Sequence, residues 1–156
     1  MNTYLFMKTL HIVSSTVLFG TGIGIAFFKW RGDASGNVQA IAVTSRLTVL
    51  ADMLFTAPAG VVQLASGLYL AHVAGFPLGE GWLLGALGLF FVAAACWLPV
   101  LWLQLRMRDL ACAAAAVDGQ LPSQYWRYAR AWFGLGWPAF IALTIVFWLM
   151  VAKPPL

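Results

Sequence analysis

The sequence predicts an all-α polytopic membrane protein, a four-transmembrane-helix bundle. Of its 156 residues, 62% are hydrophobic and only 9% are charged, whereas a soluble domain carries roughly 25% charged residues. Four apolar segments reach the length of about 20 residues that a helix needs to cross the hydrocarbon core of a bilayer. Because no long soluble segment separates them, we expect a single membrane domain over residues 1–156.

The predicted spans cover about residues 4–28, 47–73, 82–105 and 132–152. The first is too long for the apolar region of a signal peptide, so we expect a retained transmembrane helix. The third is expected to continue to about residue 117, because the sequence RMRDLACAAAAV is rich in helix formers. Residues 29–46, between the first two spans, contain glycine, aspartate and asparagine and are predicted to form a turn-rich polar loop.

Positive charges mark one side of the predicted bundle. The segment 29–46 contains three basic residues and the segment 106–131 contains four, whereas the segment 74–81 contains none. The positive-inside rule places the two basic segments in the cytoplasm, so both termini are expected in the periplasm of a bacterial inner membrane. The basic residues flank apolar spans, a pattern that favours membrane lipids over nucleic acid as partners.

His11 is the residue on which the functional interpretation depends. An ionisable side chain inside a membrane helix is costly and therefore marks a candidate functional site. Ser15 and Gly22 follow on about the same helix face, where a hydroxyl group and a glycine leave space and polarity for a flat cofactor. Neutral imidazole is the usual axial ligand of haem iron. The alternative is a structural histidine that is hydrogen-bonded across the bundle.

His72 lies near the end of the second span, on the same predicted side of the membrane as His11. With a stagger or tilt of the two helices, the pair could ligate one haem iron. The alternative is an interfacial histidine without a specific role. The two cysteines, Cys96 and Cys112, form no metal-binding pattern with either histidine, so a zinc site is not expected.

Asp52 is expected about five residues inside the second span. An unpaired carboxylate would be costly there, so a basic partner such as Arg106, Arg127 or Arg130 is expected. One interpretation is an ion pair that stabilises the bundle, and the other is a proton relay or a site for an anionic substrate. Gln63, deeper in the same helix, is expected to form a hydrogen bond between helices.

Three segments resemble a family of bacterial membrane proteins catalogued as domain of unknown function 2269. They read YLFMKTLHIVSSTVLFGTGIGIAFFKWRGD, CWLPVLWLQLRMRDLA and WFGLGWPAFIALTIVFWLMVAKP. The resemblance covers nearly the whole chain. It implies a four-helix inner-membrane protein and does not itself supply a function.

A more distant resemblance is to the HemJ-type membrane protoporphyrinogen oxidases, which bind haem b. It is carried by Lys8 and His11 in the first helix and by Pro138 and Lys153-Pro154 in the last. The resemblance implies that His11 ligates the haem iron. The lysine and the histidine of that family's third helix have no counterpart here, so the resemblance does not extend to porphyrinogen oxidation.

The function predicted from the sequence is that of a haem-binding or redox-associated membrane protein of unknown reaction. His11 and His72 would ligate haem b, with Ser15 and Gly22 beside it. One alternative is a membrane scaffold or assembly subunit, and another is a small proton-coupled transporter that uses Asp52. Whether the protein is an enzyme stays open, as does its association with itself or with other membrane subunits.

Overall fold

The computed structural model describes residues 2–155, and every regular element within them is a helix. In chain order these are α1 (Thr3–Ala34), α2 (Val38–Ala51), a π-helical turn (Asp52–Thr56), α3 (Ala57–Val73), α4 (Gly81–Ala116) and α5 (Ser123–Ala152). Because α2, the π-helical turn and α3 are continuous, the chain has four helices that are long and apolar enough to cross a membrane. The predicted all-α, four-span architecture is therefore confirmed.

The predicted loop over residues 29–46 was wrong, because this segment is helical except at residues 35–37. Two local interactions contribute to the difference. Lys29 and Asp33 lie four residues apart and form an ion pair along α1. Asn37 caps α2, since its side-chain oxygen accepts a hydrogen bond from a backbone N–H in the first turn. The polar residues of this segment thus extend two helices rather than forming a loop.

The π-helical turn lies in the middle of the second long helix, immediately before Pro58. Proline has no backbone N–H, and its ring clashes with the preceding turn of a helix. The backbone N–H of Ala57 bonds to the carbonyl of Asp52, five residues earlier, which widens the helix before the proline. This widening turn carries Asp52 and Thr56, both of which are buried.

The helices pack as two pairs. α1 packs along α3, and α4 packs along α5, whereas α1 and α5 contact each other only over a short stretch. α2 joins the pairs by packing against α4. We call the end with connections 35–37 and 117–122 the basic end, and the end with the chain termini and connection 74–80 the terminal end. This arrangement leaves a space between the pairs.

Each end of the bundle has its own core. The larger core is at the basic end and consists of Ile25, Ile41, Ala42, Val100, Leu103, Met107, Ala111, Tyr125, Ala129 and Trp132. The smaller core is at the terminal end and consists of Ala71, Trp82, Leu83, Ala86 and Leu149. The two cores hold the helix pairs together at both ends and position the residues between them.

Candidate functional site

His11 lies in a hydrogen-bond network between α1 and α3. Its Nδ1 is 2.9 Å from Ser66 Oγ, and its Nε2 is 3.0 Å from Gln63 Nε2. Because an amide nitrogen only donates, His11 Nε2 accepts and Nδ1 carries the proton that is donated to Ser66. Ser14 Oγ donates to Gln63 Oε1 at 2.6 Å. We call His11, Ser14, Gln63 and Ser66 the histidine clasp, in which both ring nitrogens have partners.

Of the other residues predicted to surround a cofactor at His11, Ser15 bonds within its own helix, and Gly22 and His72 lie apart from the histidine. Ser15 Oγ donates to the carbonyl of Ile12 in its own helix at 2.7 Å. Gly22 is about 16 Å from His11 along α1, at 1.5 Å per residue. His72 is exposed. It comes five residues after Gly67, the residue that faces the His11 ring. Five residues advance about 7.5 Å along the helix and turn the side chain roughly 140° away from the direction of Gly67.

These residues do not fit one haem held by His11. An axial imidazole needs a free nitrogen for the iron, and each nitrogen of His11 already has a partner in the clasp. A Cβ added at Gly67 would be 3.0 Å from His11 Cε1, so a macrocycle has no room on that side. The arrangement fits the alternative, a structural histidine.

A cavity of 680 Å³ lies between the two helix pairs. Its volume is within the range of about 300–1,000 Å³ that is typical of small-molecule sites. Gly22 and Gly136 widen it, because a Cβ added at either residue would have no neighbour within 4 Å. Val61 and Trp137 also line it and are 71% and 66% exposed. The cavity therefore opens sideways, toward the lipid.

Most of the cavity wall is apolar and aromatic. The aromatic lining residues are Phe19, Phe27, Phe90, Phe91, Trp97, Trp132, Phe133, Trp137 and Phe140. Polar side chains in the wall are those of Asp52 and Thr56 on the π-helical turn and of Trp97 on α4. Thr56 Oγ1 and Trp97 Nε1 are buried atoms without a hydrogen-bond partner within residues 2–155. We call these three residues the polar end of the cavity.

Asp52 is bound by an amide, and the predicted arginine partner was wrong. Gln104 Nε2 donates to Asp52 Oδ2 at 2.7 Å, and Trp132 Nε1 donates to Gln104 Oε1 at 3.4 Å. An indole N–H only donates, so the Gln104 oxygen must face Trp132 and its NH₂ group must face Asp52. The arginines can keep their charged groups in water at the helix ends, which costs less than burying them. The three that were expected as partners are all exposed: Arg106, Arg127 and Arg130.

A second buried polar cluster, which the sequence did not predict, lies at the basic end. Lys29 Nζ and Tyr125 Oη both donate to Asp33 Oδ1, each at 2.5 Å. The exposed fractions of Lys29, Asp33 and Tyr125 are only 1%, 9% and 0%. The four-residue spacing of Lys29 and Asp33 was the available signal. This spacing did not distinguish a helix from a loop, because Lys29 and Asp33 are also typical of a polar loop at the membrane interface.

The family comparison agrees with this architecture. The family model described as "Predicted integral membrane protein (DUF2269)" matches residues 5–154, a range that contains α2 to α5 and all of α1 except its first two residues. No curated protein and no solved structure matches the chain. The resemblance to this family is confirmed over nearly the full length of the sequence. The chain therefore belongs to the DUF2269 family and is a multi-pass integral membrane protein.

Proposed function

We propose that this protein binds an apolar molecule from the bilayer in the cavity between its helix pairs. The polar group of that molecule would lie at Asp52. The observation that carries the proposal is an apolar cavity of 680 Å³ whose wall includes the carboxylate of Asp52. Within residues 2–155, this carboxylate accepts a side-chain hydrogen bond from Gln104 through Oδ2, and a ligand would supply a further donor.

Two further features support a binding function at this place. Asp52 and Thr56 belong to a π-helical turn, and such turns within α-helices are frequent at functional sites. The side of the cavity that includes Val61 and Trp137 is open toward the lipid, so an apolar molecule can enter without crossing water.

The cavity also separates this proposal from the alternative functions. A scaffold function does not require an apolar cavity that is open to the lipid. A transporter of polar solutes would need polar walls, whereas the wall here is apolar except at its polar end. In this proposal, the histidine clasp holds α1 against α3 and so fixes one wall of the cavity. Haem ligation by His11 plays no part in it.

The experiment compares cavity-filling variants with matched controls. Membranes that contain the full-length protein are incubated with a photoreactive hexadecanol analogue, and the labelled peptides are identified by mass spectrometry. Gly22→Leu and Gly136→Leu place side chains in the cavity. Gly20→Leu and Gly134→Leu make the same change at glycines that also have no neighbour within 4 Å but do not line the cavity.

We expect labelling of the cavity wall, at a probe concentration well below saturation, to fall about tenfold in the double variant Gly22→Leu/Gly136→Leu, because a loss of about 1.4 kcal/mol in binding raises the dissociation constant by that factor. The control Gly20→Leu/Gly134→Leu should be labelled like the original protein. Thermal unfolding of both variants checks that they are equally folded. Equal labelling of the two double variants would refute the binding proposal.

We also infer that the basic end faces the cytoplasm of a bacterial inner membrane. Exposed arginines are concentrated at this end: Arg31, Arg46, Arg106, Arg127 and Arg130. The positive-inside rule favours this orientation, which leaves both termini in the periplasm. An alkaline phosphatase fused after Leu156 should therefore be active. An inactive fusion, together with an active cytoplasmic reporter at the same site, would reverse the orientation.

A further inference from the structure

We infer that the cavity binds lipophilic cations, which means an ammonium group attached to an apolar chain or ring, in preference to uncharged, anionic or zwitterionic amphiphiles. This inference rests on the proposed function and adds the charge of the ligand. It follows from the partners of the two buried carboxylates in the bundle and from the charges of the side chains that line the cavity.

The bundle stabilises its two buried carboxylates in different ways. Among the described residues, Asp33 and Asp52 are the buried acidic side chains, with exposed fractions of 9% and 4%. Asp33 is paired with the ammonium group of Lys29 at 2.5 Å. Asp52 accepts from the amide of Gln104 at 2.7 Å, which donates a hydrogen bond but carries no charge. Within residues 2–155, the fold therefore supplies a counterion to Asp33 and none to Asp52.

The basic side chains of the neighbouring helices have other partners. The basic residue nearest to Asp52 in the same helix is Arg46, about 9 Å away along the axis. It is exposed and donates to Cys112 Sγ at 3.1 Å. The buried Lys29 is bonded to Asp33. A buried carboxylate without a counterion is costly, so a cation from outside the chain would stabilise Asp52.

One oxygen of Asp52 is available to such a cation. Oδ2 accepts from Gln104, and Trp132 fixes the orientation of that amide. Oδ1 has no hydrogen bond within residues 2–155, yet it is not one of the fully buried atoms that lack a partner, so it is accessible from the adjacent space. Because Asp52 lines the cavity, an ammonium group there can donate to Oδ1 while Gln104 keeps its bond to Oδ2.

The charges in the cavity wall favour a cation over the other classes of amphiphile. Among the described lining residues, Asp52 is the one ionisable side chain. Attraction between opposite charges is strong in apolar surroundings, because little water is present to screen it. The carboxylate loses its hydration when the bundle folds, so binding adds only the desolvation of the ammonium group. A hydroxyl group brings no charge, and a carboxylate or phosphate is repelled by Asp52.

The remaining wall and the opening suit an amphiphile of this kind. Nine of the described lining side chains are aromatic, and the faces of aromatic rings attract cations. The opening at Val61 and Trp137 faces the lipid, so the apolar chain can stay in the bilayer. The ammonium group then moves only about 9 Å deeper than the exposed Arg46 to reach Asp52.

The test is a competition in which three ligands with the same sixteen-carbon chain displace the photoreactive hexadecanol analogue from the full-length protein. The ligands are hexadecylamine, hexadecanol and hexadecylphosphoethanolamine, which carries the same ammonium group next to a phosphate. They are compared at equal mole fractions in phosphatidylcholine vesicles at about pH 7, where an alkylamine is protonated. Because the probe is uncharged, it also reports on variants that lack the carboxylate.

Hexadecylamine should displace the probe at a mole fraction about tenfold below that of hexadecanol, since a charge-assisted hydrogen bond exceeds a neutral one by about that factor in binding. Hexadecylphosphoethanolamine should not share this advantage, because its phosphate is repelled by Asp52. The order of the three ligands on the original protein tests the inference even if a variant does not fold.

Two variants assign the preference to its residue. Asp52→Asn removes the charge and keeps an acceptor for Gln104, so hexadecylamine should lose its advantage over hexadecanol. Asp109→Asn removes a negative charge from an exposed residue outside the cavity and should preserve the advantage. Thermal unfolding checks that both variants are folded.

Equal displacement by hexadecylamine and hexadecanol would overturn the inference while leaving the proposed binding function intact. An advantage of the amine that persists in Asp52→Asn would also overturn it, because the preference would then come from the bilayer rather than from the site. The same holds if hexadecylphosphoethanolamine competes as well as hexadecylamine. The proposed function itself fails if labelling does not depend on Gly22 and Gly136, whatever the order of the ligands.

Discussion

Replacing Lys29 with methionine tests how the basic end of the bundle is held together. The Lys29 ammonium group donates to Asp33 Oδ1 at 2.5 Å, and both side chains are buried. Methionine keeps much of the apolar stem of lysine and removes its charge. The Asp33 carboxylate would then be buried with the Tyr125 hydroxyl as its remaining donor. A buried charge that loses its counterion is strongly destabilising.

The expected loss in the free energy of unfolding is about 3 kcal/mol, the lower end of the range for breaking a buried ion pair, because the Tyr125 bond is retained. The double variant Lys29→Met/Asp33→Leu removes both charges and leaves only the Tyr125 hydroxyl unpartnered. It should therefore lose about 1–2 kcal/mol. Adding Tyr125→Phe should bring the protein to within about 1 kcal/mol of the original, since buried pairs are often replaceable by apolar residues.

The assay is reversible unfolding in mixed detergent micelles, followed by circular dichroism. Arg108→Met is the matched control, because Arg108 and Asp109 form an ion pair whose side chains are 35% and 56% exposed. That change should cost less than about 1 kcal/mol. The reasoning is refuted if Lys29→Met costs no more than Arg108→Met, or if the double variant is less stable than the single one.

Two further predictions use the same unfolding assay. Gln63→Leu should cost about 1–3 kcal/mol, because it leaves His11 Nε2 without the amide partner and an unsatisfied buried group costs about that much, whereas Ser14 Oγ still has the carbonyl of His11 as an acceptor. A loss no larger than that of Gln39→Leu, at an exposed glutamine, would contradict this. Gly32→Ala should cost about 1–3 kcal/mol through overpacking, because its Cβ would lie 2.4 Å from Thr44 Oγ1. Adding Thr44→Ala to Gly32→Ala should recover most of the lost stability. Gly134→Ala, at a glycine with no neighbour within 4 Å, should be tolerated. If Thr44→Ala does not recover stability, the close contact is not the cause of the loss.

The four spans could be predicted because the bilayer imposes a length and a composition that few other structures share. The extent of the helices could not be predicted in the same way. At residues 29–46, glycine and polar residues indicated a loop by local preference. The contacts that make the segment helical include Tyr125, which lies 92 residues from Asp33 in the chain. The sequence of residues 29–46 alone does not identify Tyr125 as a partner.

His11, Asp52 and Gln63 were recognised because polar side chains are costly to bury in a membrane helix. Their hydrogen-bond partners depend on how each helix is rotated about its own axis, which the sequence does not specify. Ser14 and Ser15 follow His11 by three and four residues, and both spacings place a side chain near it. The position of α3 decides that Ser14 joins Gln63 and that Ser15 bonds within its own helix. The sequence therefore predicted a polar site at His11 and could not distinguish a cofactor site from a structural one.

The polar end of the cavity was harder to predict, because two of its members look ordinary in the sequence. A tryptophan within an apolar span is compatible with a lipid-facing residue, and a threonine in a membrane helix usually bonds to its own backbone. Trp97 and Thr56 stand out only when their polar atoms are found buried and unpartnered. Asp52 was recognised as a residue of interest, but its glutamine partner on α4, 52 residues away, was not.

The difference between the buried polar groups indicates where function lies. In the histidine clasp, each side-chain nitrogen and oxygen has a partner in the bundle, so the clasp has little to offer a ligand. At the basic end, Asp33 Oδ2 and Ser45 Oγ lack partners, but neither residue lines the cavity. Asp52 lines the cavity, and its bond to Gln104 uses only Oδ2. Changes in the clasp should therefore alter stability without altering binding in the cavity, whereas changes at Asp52 should alter that binding.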